Sequence, residues 1–352
     1  MAGPASSTLA HRLLPTSLVG SYPQPDWLVD RARLREIGVP RVPVPEIWRV
    51  DSAYLPQAKD DATALAIAAQ EALGLDVITD GEVRRESYSN YFANALEGID
   101  ALRRGGVARA TGGITDVPLF SGPARRTRSV GVEDVRFLRA HSDRVIKATL
   151  PGPFSISEQA ETSYYADREG LALDLADAVN AEVKELFAAG ADIVQLDEPW
   201  MERWPERSKV YGTKVLNRAL DGVEGTVAIH LCFGYGALVG DKRSDYRFFD
   251  ELADTPIAQV SVEAAQPNLT LSQLARLPDK MIILGVLDLG GESVETPATV
   301  AARIEAALAY VAAERLAVAP DCGLKYLPLE VANAKLAAMV EGAALVRAKL
   351  EG

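Results

Sequence analysis

Short apolar runs recur along the chain. Each closes on a polar or turn-forming residue, and most are followed by a stretch with helical spacing. The runs are Leu14 to Ser21, Leu75 to Thr79, Val145 to Leu150, Ile193 to Leu196, Thr226 to Leu231, Ile257 to Val262, Met281 to Leu287 and Leu316 to Ala319. They are continuously apolar rather than alternating, which suits strands covered on both faces. Eight such strand–helix units within 352 residues predict an α/β fold, a (β/α)8 TIM barrel. A doubly wound open sheet is the competing arrangement. No Gly-x-Gly-x-x-Gly follows the first strand, which counts against a dinucleotide fold.

Helical spacing predicts helices from Gln57 to Leu73, Ser87 to Glu97, Arg168 to Ala189, Glu206 to Leu220, Leu271 to Leu277, Pro297 to Glu314 and Leu329 to Leu350. Trp27 to Leu55 is Pro-rich and reads as irregular. Residues 98–145 break the rhythm and read as an inserted hairpin and loop excursion carrying one helix, Val132 to Ala140. Arg125, Arg126 and Arg128 within it read as a solvated face, or as contacts for an anionic substrate. Residues 1–12 are small and polar without an apolar signal core. They predict a flexible tail on a cytoplasmic protein, with residues 13–352 forming a single barrel.

A net charge of -12 argues against a nucleic-acid backbone and against an anionic membrane surface as partners. No apolar run is long enough to span a bilayer. Two cysteines are too few for a disulfide framework and point to a reducing compartment.

The chemistry of such barrels gathers at the C-terminal ends of the strands. In order, these ends carry Ser21, Glu82, Pro151-Gly152-Pro153, Asp197-Glu198, His230 and Cys232, Glu263, Asp288 and Cys322. His230 and Cys232 are two residues apart, so on an extended strand they share a face. With Cys322 they supply three of the four ligands of a tetrahedral zinc (Zn2+) site, and Glu263 is the best oxygen donor for the fourth. Each residue also has a plainer role open to it: the cysteines as small buried hydrophobes, Glu263 as the partner of a Lys or Arg. Two thiolates and a carboxylate around a divalent ion suit a further thiolate better than a hydroxide, so the predicted chemistry is attack by a substrate thiolate on an alkyl carbon. Glu82 and Asp197 are the predicted catalytic carboxylates. They suit the ammonium of an amino-acid thiol, while the Val19-Gly20-Ser21 backbone suits its carboxylate. Helix capping is the alternative role for both acids. Glu198 is less defined, and Trp200 either stacks on a donor or covers the barrel rim.

Six pieces together resemble the C-terminal catalytic barrel of cobalamin-independent methionine synthase. They are Val19-Gly20-Ser21-Tyr22-Pro23-Gln24, Asp80-Gly81-Glu82, Asp197-Glu198-Pro199, His230-Leu231-Cys232, Ser261-Val262-Glu263-Ala264 and Pro320-Asp321-Cys322-Gly323-Leu324-Lys325. His-x-Cys alone is a weak signal, whereas the six in this order are specific. The resemblance implies zinc at His230, Cys232, Glu263 and Cys322. It implies homocysteine held through Ser21, Glu82, Asp197 and the metal, and methionine as product.

Two departures bear on the methyl donor. The family's long form carries a second, N-terminal barrel that has no counterpart in this sequence. Its Asp-Ile-His after the seventh strand reads Asp288-Leu289-Gly290 here. The histidine is associated with protonating a folate leaving group, so methylcobalamin or a corrinoid protein stands beside methyltetrahydrofolate as the expected donor. The same barrel also resembles the epoxyalkane:coenzyme M transferase, which keeps a zinc thiol alkyltransferase with another thiol or donor as an alternative. A non-catalytic zinc-bound barrel is the third.

Overall fold

The computed structural model describes residues 12–108, 113–236, 238–240 and 242–352. The tail expected over 1–12 lies outside the described residues except for Arg12, which pairs with Asp76 at 3.0 Å. In chain order the strands are β1 (Val77–Ile78), β2 (Glu97–Ile99), β3 (Gly105–Ala108), β4 (Ile114–Val117), β5 (Leu119–Arg125), β6 (Val145–Pro151), β7 (Glu161–Thr162), β8 (Ile193–Asp197), β9 (Thr226–Leu231), β10 (Gln259–Val262), β11 (Met281–Gly285) and β12 (Leu316–Ala319).

Seven of them form one parallel sheet in the order β1-β6-β8-β9-β10-β11-β12. The first apolar run closes it into a (β/α)8 barrel. Thr16 bridges Val318 on β12, and Ser17 bridges Val77 on β1, both in parallel. The expected first strand is thus reduced to two bridges. Pro15 has no N–H to give the ladder, and Leu14 sits at φ 50°.

Strand side chains alternate between two faces. Val19, Val77, Val145, Ile193, Ala228, Ile283, Ala317 and Ala319 cluster inside the barrel as an apolar floor. Their neighbours, such as Ile146, Val194, Ile229, Val260, Ile282 and Val318, pack outward in the larger core beneath the helices. This double burial is why the strands read as continuous apolar runs. Two steps along the inward faces, the floor gives way to Lys147, Gln195, His230 and Ser261, all buried and polar. The lumen therefore grows polar toward the C-terminal ends of the strands.

Helices Leu55–Ala72, Arg168–Ala188, Pro297–Leu308 and Leu329–Glu351 fall where the spacing puts them, the third of these stopping short of Glu314. Four other expectations are corrected. Trp27 to Leu55 is not wholly irregular: it holds a helix at Arg31–Ile37, capped by Asp30, and a 3-10 turn at Pro45–Ile47. The helix expected over 87–97 shrinks to Asn90–Ala93. There Ser87 Oγ donates to Pro40 O and Asn90 Nδ2 to Val42 O, tying side chains to the preceding segment instead of extending the helix. The helix expected over 206–220 is broken into Pro205–Arg207, a π turn at Ser208–Gly212 and Thr213–Ala219. The Leu271–Arg276 segment is 3-10 rather than α.

The excursion is a β3–β4 hairpin and a three-stranded sheet ordered β2-β5-β7. Strand β7 comes from beyond residue 145, and the helix Val132–His141 packs between Leu55–Ala72 and Arg168–Ala188 as part of the barrel wall. Arg126 is not on a solvated face. Its side chain is buried against Glu182 at 2.5 Å and also meets Glu185, while Arg125 and Arg128 are exposed. No helix among the described residues is long and apolar enough to cross a membrane.

Candidate active site

Register sets the centre of the site. On β9 and β10 His230 is paired with Ser261, and on β8 and β9 Asp197 is paired with His230. Because His230 points into the lumen, so does Cys232 two residues on, and Cys322 arrives from the turn after β12. The ligand atoms of His230, Cys232 and Cys322 all lie within 4.8 Å of one another, and all three residues are buried. The His230 Nδ1 is 2.9 Å from Ser261 Oγ, while its Nε2 is buried without a partner. The neighbouring Cys322 thiol holds the Cys232 thiol well below its usual range against the effect of burial, with His230 adding to it, and Cys322 is correspondingly pushed up.

An orphaned imidazole nitrogen, an acidified thiol and a second thiol in one buried triangle fit a thiophilic ion. The ring is turned toward it by a hydroxyl on the other nitrogen, as metal-binding histidines are.

Glu263, the fourth expected ligand, stands beside this triangle but outside it. Its Oε2 accepts from Lys242 Nζ at 2.5 Å and its Oε1 from Phe233 N at 3.2 Å. Burial pushes its carboxyl up, the neighbouring Cys232 adds to that, and Lys242 pulls against both. Two further residues fix this corner. Tyr246 OH donates to Leu231 O at 3.0 Å and accepts from Glu263 N at 2.8 Å, stapling the ends of β9 and β10. Asp321 accepts from the backbone amides of Ala264, Ala265 and Gln266 at 3.0, 3.0 and 2.6 Å, locking the turn after Glu263 to the residue before Cys322.

Glu82 and Asp197 face the same mouth. Glu82 is buried with φ 52°, a left-handed conformation that a residue with a side chain adopts at a cost. Its Oε1 accepts from Thr149 Oγ1 at 3.0 Å, and Arg85 holds Thr149 through its hydroxyl and its carbonyl. Its Oε2 has no partner. Burial pushes the Glu82 carboxyl up, against the pull of Arg85. Burial likewise pushes Asp197 up to about 7, opposed by His230 and reinforced by Glu82. Gln195 Nε2 donates to Asp197 Oδ1 at 2.8 Å. Neither acid caps a helix.

The Val19-Gly20-Ser21 segment divides its work. Val19 belongs to the floor, and its carbonyl accepts from Gln195 at 3.0 Å. A Cβ at Gly20 would lie 2.4 Å from Glu82 Oε1, so any larger residue there displaces that carboxylate. Ser21 Oγ is buried and unpartnered, and a Cβ on Gly323 would come within 2.2 Å of it. Among the described residues, the Gly20 and Ser21 amides donate to no protein acceptor.

Glu198 turns away from the mouth to bond the Phe154 and Ser155 amides at 3.0 and 2.7 Å. Trp200 is half-buried, with the Arg41 guanidinium 6.0 Å from its ring. Tyr88 and Tyr235 wall the mouth, their rings 6.5 Å apart, and Tyr326 packs edge-on against Tyr235 at 4.9 Å. Beyond Tyr326 a groove of about 360 Å³ is lined by Arg35, Leu238, Leu289, Gly290 and Leu327. Asp288 bonds the Gly290 amide at 2.7 Å and stays out of the triangle. Reading the sequence by strand ends missed Lys242, Tyr246 and the tyrosine wall, which sit in loops without periodicity. Asp321 carried the one available signal, its place beside Cys322.

The profile of the family described as "Cobalamin-independent synthase, Catalytic domain" matches residues 14–345. A methionine synthase of Thermococcus kodakarensis is 33% identical over 342 residues, covering 96% of this chain and 95% of its own length. One of Sulfurisphaera tokodaii is 31% identical, with 96% and 94% covered. Among solved structures, a B12-independent methionine synthase from Shewanella sp. W3-18-1 in complex with selenomethionine superposes with a TM-score of 0.87 at 32% identity, covering 97% of this chain and 99% of that one.

Proposed function

Since the chain belongs to the cobalamin-independent methionine synthase family, matched over its catalytic domain, we propose that it is a zinc-dependent methyltransferase that converts homocysteine to methionine. We assign the whole reaction to the single barrel of residues 13–352. One observation carries the reading. The buried His230, Cys232 and Cys322 triangle opens on the same mouth as two unpartnered buried oxygens, Ser21 Oγ and Glu82 Oε2. Selenomethionine in the similar Shewanella structure, a close relative of the product, supports an amino acid in this mouth.

Zinc, when bound by His230, Cys232 and Cys322, supplies a centre that keeps a substrate sulfur in its nucleophilic thiolate form. The remaining work belongs to the chain. Glu82 and Asp197 take the substrate ammonium, and their two charges disfavour a sulfonate thiol. The free amides of Gly20 and Ser21, with Ser21 Oγ, take the carboxylate. Tyr88 and Tyr235 close the sides against water. The sulfur–carbon bond forms as the methyl carbon leaves its carrier, and the leaving group keeps the bonding electrons. Gly290 stands where the family's long form has its histidine, so no imidazole is offered there, which favours a carrier that departs without a proton, such as a methylcorrinoid, although Glu292 also lines the groove. The groove beyond Tyr326 is the approach we assign to it.

The test is methionine formation by the zinc-loaded protein from homocysteine, with methylcobalamin and methyltetrahydrofolate offered separately. Product with methylcobalamin alone supports the whole reading. Product with the folate overturns the donor assignment and keeps the substrate. No product with either, and no homocysteine binding, overturns the reaction.

A further inference from the structure

We propose that Gln24 is a positioning residue that holds Glu82 at the mouth and so makes the site select a thiol carrying an ammonium. This rests on the homocysteine reading above. Gln24 is 2% exposed, and its Nε2 donates to two carbonyls of the turn after Glu82, Val83 O at 2.8 Å and Arg85 O at 3.1 Å. Its Oε1 accepts from Lys325 Nζ, which is itself buried and donates also to Arg85 O at 3.0 Å. The same segment grips the other side of Glu82, where Tyr22 N donates to Gly81 O at 2.9 Å. The turn closes on itself through Arg85 N to Glu82 O at 3.1 Å and Glu82 N to Asp80 Oδ1 at 3.0 Å.

Glu82 needs this grip. Its φ of 52° persists only where the surroundings over-determine it. The carboxylate follows the backbone, so a turn relaxed to an ordinary φ would carry Oε2 away from the mouth. The hydrogen bonds of Gln24 and Lys325 go to backbone carbonyls and to each other, so both residues act on Glu82 through the turn. Lys325 has a distinct part. An amide can present either its oxygen or its NH2, whereas an ammonium can only donate. Lys325 therefore draws the Gln24 oxygen to itself and leaves the NH2 for the carbonyls. The two sequence pieces that end at Gln24 and Lys325 meet at this point. Ser21, three residues before Gln24, serves the carboxylate side of the proposed amino-acid site. One short segment thus sets both poles of the substrate, the Gly20 and Ser21 amides directly and Glu82 through Gln24.

The experiment is calorimetric titration of the zinc-loaded protein with homocysteine and with 4-mercaptobutyrate, which has the same carbon chain without the ammonium. It compares the wild type with Gln24→Met, Glu82→Gln and the double variant, and metal content is measured alongside. Gln24→Met should keep its zinc, bind homocysteine about tenfold or more weakly, and bind 4-mercaptobutyrate as the wild type does. In the Glu82→Gln background the same substitution should cost little more, because the carboxylate it positions is already gone. Lys325→Met should reproduce this pattern, and it carries the cycle if Gln24→Met does not fold. Equal losses for the two thiols, lost zinc, or an undiminished loss in the Glu82→Gln background would overturn the positioning role alone. A wild type that binds both thiols equally, or neither, overturns the amino-acid reading beneath it.

Discussion

His230 and Ser261 are register partners on adjacent parallel strands, and the Ser261 hydroxyl lies 2.9 Å from the His230 Nδ1. The hydroxyl thereby fixes which ring nitrogen faces the two cysteines. The strand pairing brings these residues level, and the two-residue period of β9 carries the imidazole and Cys232 to one side. Ser261→Ala should keep the fold, because a small residue replaces a small one at a buried position. Its zinc affinity should fall by about 10–100-fold, measured by competition with a chromophoric chelator. Unchanged affinity would mean that Ser261 does not orient the ring.

The Gly20–Glu82 contact makes a separate prediction about substrate. An alanine at position 20 would place a carbon 2.4 Å from Glu82 Oε1 and 2.9 Å from Thr149 Cγ2. The carboxylate must then swing out of the mouth. Gly20→Ala and Glu82→Gln should both retain zinc. Both should weaken homocysteine by about 1.5–3 kcal/mol, the range for a hydrogen bond to a charged group. A thiol acid without the ammonium, such as 3-mercaptopropionate, should lose little. Calorimetric titration of both thiols decides it, and equal losses for the two would remove the ammonium clamp from Glu82.

Lys147 gives a pH signature. It lies in the lumen with its Nζ donating to Leu18 O at 2.6 Å. Burial pushes its pKa down to about 7, with Asp197 and Glu82 pulling the other way. The folded state thus binds this proton less readily than the unfolded state, whose lysine titrates near 10.5. Between these values the unfolded chain carries more protons, so stability rises with pH over about 7 to 10 and is lowest below that window. The stability of the wild type relative to Lys147→Met should therefore climb between pH 7 and 9, by at most about 1.4 kcal/mol per pH unit. Urea unfolding at several pH values measures it. Parallel curves for the two proteins would contradict the buried-ammonium account.

Much of this architecture was legible because barrel strands obey simple rules. Runs such as Val145 to Leu150 are apolar on both faces since one side meets the floor and the other the helices. The residues that end those runs, His230, Cys232, Glu82 and Asp197, were found because the period of two and the polarity of the lumen put chemistry there. What escaped lies where no period operates. Lys242 reaches Glu263 from an irregular loop, and nothing in its local pattern marks it as buried. Asp321 works through three backbone amides, which no sequence spacing encodes. Arg126 looked like surface because it sits among other arginines, and only the fold brings Glu182 and Glu185 to it. The first strand looked complete because its apolar run is complete, while Pro15 quietly withdraws a donor from the ladder. Glu263 was recognised as belonging to the site from its place at the end of β10, but its partner there is a lysine.

Elemental analysis decides whether His230, Cys232 and Cys322 form one metal site. Wild type, Cys232→Ser and Cys322→Ser would be purified alike, loaded with zinc, freed of loose metal and measured by mass spectrometry of the metal. Wild type should hold about one zinc per chain, and each serine variant should lose it while keeping its fold by circular dichroism. Full zinc in both variants would contradict the ligand assignment and, with it, the chemistry proposed for the mouth of this barrel.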